Sequence, residues 1–116
     1  MKNIILLIAF LVSTFSFGQG SETFTSLGTI AAYGSGTWTG DDGGTWSTTL
    51  ARTDQILTGK AICTSGSGTV TSPTYSGGMG TLTFNYVRAF TGTNVRSFTV
   101  WVNGTQIGTT TAVSAT

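Results

Sequence analysis

The charge on this 116-residue chain comes from five Lys or Arg and four Asp or Glu, and there is no histidine. Cleaving a glycosidic bond takes two carboxyl groups facing each other across roughly 5–10 Å. The candidates are Glu22, Asp41, Asp42 and Asp54. Asp41 and Asp42 are neighbours inside Gly40-Asp41-Asp42-Gly43-Gly44. Short acidic side chains in a glycine-rich turn ordinarily accept hydrogen bonds from nearby backbone. The same pair is the candidate metal site, a structural calcium ion, because carboxylate and carbonyl oxygens suit a hard cation; the alternating ligands of a recognisable calcium loop are missing. Asp54 follows closely on Arg52, and the pair is expected to form a structural ion pair or turn contact, with a ligand-binding arginine as the alternative.

Nucleophilic chemistry lacks partners. Serines are abundant, but without histidine no Ser-His-Asp arrangement can be built. A Ser-Lys dyad would need Lys60, which no known motif of that kind surrounds. Gly59-Lys60 is no phosphate loop either: Ala61 stands where Ser or Thr must bind magnesium, and Asp54 where the first glycine belongs. The single cysteine, Cys63, excludes an internal disulfide and a Cys-only metal cluster. Within Lys60 to Thr64 it is expected to be a buried small hydrophobe. No catalytic residue is therefore expected. The near-neutral balance also lacks the clustered cations of a nucleic-acid interface.

Aromatic side chains are the better lead, since indole and phenol faces can stack on flat apolar faces of a ligand. Trp101 is the leading candidate for ligand stacking, with Asn85 and Thr99 expected to share its outer face; the alternative is that loops cover this face and Trp101 is merely packed. Trp38 and Trp46 are expected to clasp a hairpin as cross-strand neighbours, if that hairpin is centred on Asp42. Thr-x-Thr recurs, beginning at Thr23, Thr37, Thr69, Thr81, Thr91 and Thr109. The spacing is irregular, so the flat repeating array of an ice-binding surface is not expected.

Address comes next. Met1-Lys2-Asn3 is a positive head, Ile4 to Val12 an unbroken apolar run, and Ser16 and Gly18 are the small residues of a cleavage site before Gln19. The apolar run falls short of the roughly 20 residues that span a bilayer. Residues 1–18 are thus expected to be a signal peptide with a helical apolar segment. Residues 19–116 would form one secreted domain, outside the cell or on its surface. Lys2 leaves with the signal, and the remaining charges balance.

Beyond the signal the pattern is alternation, with Thr and aromatic enrichment and Gly-rich punctuation, which predicts an all-β sandwich or barrel. The clearest strand is Thr81 to Arg88, with Leu82, Phe84 and Tyr86 on one face and Thr83 and Asn85 on the other. Arg96 to Asn103 places Phe98, Val100 and Val102 opposite Ser97, Thr99 and Trp101. Asn103-Gly104 is a favoured hairpin turn into a strand from Thr105 to Thr111. Glu22 to Thr25 and Ile30 to Tyr33 are expected as edge pieces. Thr37 to Thr39 and Thr45 to Leu50 flank the acidic turn, and Lys60 to Thr64 and Gly68 to Ser72 are two strands around Ser65-Gly66-Ser67. A two-sheet sandwich usually has a few more strands than this, yet about 98 residues can support one of immunoglobulin size. The expectation that the domain is incomplete at its C-terminus leans on the resemblance below more than on strand count.

Several runs carry a family resemblance: Gly40-Asp41-Asp42-Gly43, Trp46, Ala51-Arg52, Thr58-Gly59-Lys60-Ala61-Ile62 and Ser72-Pro73. Ser76 to Tyr86 and Val100-Trp101-Val102-Asn103-Gly104 belong with them. Together they resemble an N-terminal β-sandwich module of secreted Bacteroidetes proteins, especially flavobacterial ones. The resemblance implies an antiparallel sandwich of jelly-roll or galactose-binding-like type. It also implies a non-catalytic accessory role in a larger exported protein, beside nuclease or carbohydrate-active domains or repeats ending in a type IX sorting domain. The expected function is binding of carbohydrate or cell-surface material. The alternatives are the front of a secreted nuclease or glycoside hydrolase with its catalytic domain beyond residue 116, and a structural or adhesive spacer.

Overall fold

A computed structural model describes residues 20–113. The expected signal peptide and its cleavage point lie outside the described residues. Five strands follow in chain order: β1 (Gly34–Thr39), β2 (Thr45–Ile56), β3 (Lys60–Thr71), β4 (Arg96–Val102) and β5 (Thr105–Val113). They make an antiparallel three-stranded sheet, β1-β2-β3, and an antiparallel two-stranded sheet, β4-β5. The described residues contain no helix. All-β, antiparallel architecture is as the alternation predicts.

The acidic turn closes the first hairpin. Gly43 N–H donates to Gly40 O at 2.9 Å and Gly40 N–H to Gly44 O at 2.8 Å, with Gly43 at φ 80°. This is the three-residue hairpin loop that needs a left-handed residue at its end. It sets Trp38 opposite Trp46, and their rings stack at 5.7 Å with 22° between planes. The hairpin is centred on Asp42, as expected. At the second hairpin, Asn103 (φ 49°) and Gly104 (φ 75°) both adopt positive φ, the requirement of the type I′ turn that suits the strand twist.

Three expectations are corrected. The sequence predicts two strands, residues 60–64 and 68–72, around Ser65-Gly66-Ser67; they are one strand, β3, running along β2 throughout. The glycine-serine stretch is a bulge. Thr49 pairs with Thr69 and Ala51 with Thr64, so residues 65–68 stand opposite Leu50 alone. Leu50 has φ 45° there, and a Cβ on Gly68 would lie 2.8 Å from the carbonyl oxygens of Thr49 and Leu50. Glycine and serine signal a break in the ladder, and a bulge and a reversal use the same residues.

The second correction concerns residues 81–88, the strand most clearly signalled by sequence. They belong to no ladder. Their apolar face is nonetheless engaged: the rings of Phe84 and Tyr86 lie 5.5 and 4.7 Å from that of Phe98 on β4. Alternation reports which side chains share a face, and says nothing of whether a backbone partner is present. The expected edge pieces at residues 22–25 and 30–33 are likewise not strands. Residue 30 is tied by single bonds instead, Thr53 N–H to Ile30 O and Ile30 N–H to Thr53 Oγ1, both at 2.9 Å.

Burial concentrates in the first sheet. Among the described residues, Leu27, Trp38, Ala51 and Cys63 are the buried apolar ones, and Thr48 and Thr53 are buried too. In the second half, Leu82, Phe84 and Tyr86 stay about half exposed.

Candidate functional site

Trp101 lies on β4 and is exposed. Alternation along β4 turns it away from Val100 and Val102, and it pairs with Gln106 on β5. It is 58% exposed, with its Nε1–H donating to Thr99 Oγ1 at 2.9 Å. That bond ties the indole N–H to its own strand, while more than half of the residue stays exposed. Trp101 and Thr99 are thus brought together. Asn85 is not: it sits between Phe84 and Tyr86, on the opposite face of residues 81–88, and forms no side-chain hydrogen bond with Thr99 or Trp101 among the described residues.

The other face of β4 borders an apolar groove of about 450 Å³ lined by Met79, Leu82, Phe84, Val100, Val102 and Ile107. No polar side chain reaches into that lining. It can take apolar atoms and cannot perform acid–base work.

The acidic turn is a clasp. Glu22 accepts from Phe24 N–H at 2.8 Å, Asp41 N–H at 2.9 Å and Trp38 Nε1 at 3.4 Å. Asp41 reciprocates by accepting from Thr23 N–H at 2.8 Å and Thr23 Oγ1 at 2.6 Å. Asp42 accepts from Tyr75 Oη at 2.5 Å and Gly44 N–H at 2.9 Å. The Thr23 hydroxyl and N–H hold the Asp41 carboxyl below its ordinary pKa, and the Tyr75 hydroxyl followed by the Gly44 N–H do so for Asp42. Tyr75 is pushed up to about 12, first by burial and then by its bond to Asp42. A cation on Asp41 and Asp42 would compete with these donors. The described residues hold no group of three or more metal-ligating side chains.

Arg52 and Asp54 form the expected ion pair, Nε to Oδ1 at 2.7 Å and Nη2 to Oδ2 at 2.5 Å, reinforced by Gln55 Nε2 on Oδ1 at 3.0 Å. Arg52 and then Gln55 hold the Asp54 carboxyl far below the usual carboxylate range. The guanidinium also rests 5.7 Å from the Tyr33 ring centroid and 5.6 Å from that of Phe90. Two aromatic rings and the Asp54 carboxylate therefore engage Arg52 from within the protein. Cys63 is buried, as expected, with Tyr33 Oη 3.6 Å from its sulfur. Lys60 donates to the carbonyl of Leu27.

Sequence reasoning did not single out Glu22 or Tyr75 as partners of the acidic turn. Glu22 lies 19 residues from Asp41 and Tyr75 lies 33 from Asp42, so only tertiary contact brings them to the turn, and no local motif marks them. No family model, curated protein or solved structure matches the chain. The described residues contain no helix long and apolar enough to cross a membrane.

Proposed function

We propose that this chain is an exported, non-catalytic binding module of the antiparallel β-sandwich type, jelly-roll or galactose-binding-like, serving as an accessory domain of a larger protein. Its ligand is carbohydrate or other cell-surface material stacked on Trp101. The observation that carries this is the exposed indole, fixed by Thr99 on a polar strand face. A pyranose ring presents flat C–H surfaces to such a face, and water-exposed aromatics with adjoining hydroxyl and amide groups are suited to it. Charged side chains contribute little: Arg52, Lys60, Asp41, Asp42 and Asp54 all have partners within the protein. The resemblance to secreted Bacteroidetes modules supports the same role, and the signal-like N-terminus supports the location.

A glycan array probed with the recombinant protein tests the reading. Binding to one or more oligosaccharides is expected, and Trp101→Ala should weaken it at least about tenfold, the loss of roughly 1.4 kcal/mol of stacking. Binding that survives Trp101→Ala places the ligand elsewhere. An array without any signal favours the structural spacer.

A further inference from the structure

Residues 81–88 and β4 present an unfinished pairing. β4 has a ladder partner on one side only among the described residues, and residues 81–88 have none. Yet their side chains already stand in order. Tyr86 meets Phe98 at 4.7 Å between ring centroids. Leu82 and Phe84 share one groove with Val102 and Val100. With Tyr86 set opposite Phe98, an antiparallel register puts Phe84 opposite Val100 and Leu82 opposite Val102, which agrees with their shared groove and leaves the 5.5 Å Phe84–Phe98 contact as a diagonal. A close ring pair and a shared groove that fit one register are the pattern of a strand pair, whose directly opposed residues bring Cβ atoms to about 4.5–5.5 Å.

The connection suits it. Residues 89–95 form the link, gathered by the Arg88 guanidinium on the Gly92 carbonyl and anchored by Phe90 against Arg52. One feature opposes closure: the same register sets Arg88 across from Arg96, a like-charge pair at the loop end.

We infer that residues 81–88 are a strap that closes onto the free edge of β4 as a third strand in this register, bringing Asn85 directly across from Thr99 and completing the platform beside Trp101. The inward face follows from the contacts above. The outward face follows from period two: if Phe84 and Tyr86 oppose Val100 and Phe98, then Thr83 opposes Trp101 and Asn85 opposes Thr99. A carboxamide would then stand beside an exposed indole and a hydroxyl, which is a donor and acceptor set for sugar hydroxyls. The last step rests on the carbohydrate reading; the strap itself does not.

The test is a disulfide trap in the full chain carrying Cys63→Ala, without sugar. Asn85→Cys with Thr99→Cys joins directly opposed positions, whose Cα separation lies within bridging range. Thr83→Cys with Thr99→Cys is the control, offset by two residues and about 7–8 Å apart on the diagonal. The opposed pair should oxidise at least about tenfold faster. An offset pair that matches or exceeds it, or an opposed pair that stays reduced, overturns the strap. Hydrogen exchange on the unsubstituted protein gives an independent reading: slowed amides alternating along residues 81–88 support closure, and uniformly fast exchange there overturns it. The two proposals fail separately. A trap that forms in a protein silent on the glycan array leaves the strap and removes the sugar; Trp101-dependent binding without a trap does the reverse.

Discussion

The two halves of the molecule are built from the same local vocabulary and reach different degrees of completion. Each has threonine-rich alternating strands joined by a glycine-containing hairpin turn. In the first half β2 has partners on both sides, and the segment before β1 folds back over the sheet through Glu22, Asp41, Thr53 and Lys60. Trp38, Ala51 and Cys63 are buried as a result. The second half has one hairpin and an unpaired extended segment, and Phe84 remains 49% exposed. Two-stranded ribbons are marginal by themselves, and a third strand or a covering layer is what makes an apolar face stable. Alternation supplies a face; only a further layer buries it.

The contrast is sharpest in aromatic truncations. Trp38→Ala should destabilise the protein by about 3–5 kcal/mol, the cost of removing a large buried ring, as measured by chemical denaturation. Trp101→Ala should stay within about 0.5 kcal/mol, as for exposed substitutions generally. Equal effects would dissolve the distinction between the halves.

Next in size is the bulge. Gly68→Val forces a side chain against two backbone carbonyls that cannot swing away, and a loss of about 1–3 kcal/mol is expected. Tolerance of valine would mean that β3 does not bulge against Leu50.

Phe84→Thr removes a half-exposed ring and should cost about 1 kcal/mol, roughly half the value of full burial. A loss as large as that of Trp38→Ala would show the second half to be as well covered as the first.

The smallest effect is that of pH, and it belongs to the first half alone. Asp41 and Asp42 have folded-state pKa values below their unfolded ones. Their contribution is present above the ordinary carboxylate range near 3.8 and fades as pH falls through the lower folded values. Tyr75 works in the opposite direction. Its raised value means that its contribution is present below about 10 and is lost as pH rises from there toward about 12. NMR titration should therefore move the amides of Thr23 and Gly44 in acid and leave those of β4 and β5 unmoved. Asp41→Asn should abolish the Thr23 response.

Much of the fold was legible locally. The Trp38–Trp46 pairing follows from the turn centred on Asp42, and the β4–β5 hairpin from Asn103-Gly104, because both depend on residues within one turn of each other. Ser65-Gly66-Ser67 misled for the same local reason: glycine permits a reversal and a bulge equally, and the choice rests on whether the flanking strands find β2 on the same side. Of the candidate site, alternation placed Trp101 and Thr99 on one face correctly. It could not say that Asn85 would sit on an unpaired segment.

What the amino-acid sequence determined by itself is the alternation of side chains and the two hairpin turns, at Asp42 and at Asn103-Gly104. Each is a property of residue type or of spacing over a few positions. Tertiary structure decided which strands share ladders, that Glu22 and Tyr75 serve the acidic turn, and that Arg52 is enclosed between Tyr33, Phe90 and Asp54. Those outcomes depend on segments meeting across long stretches of chain, where burial and hydrogen-bond satisfaction are settled jointly and no residue's own preference suffices.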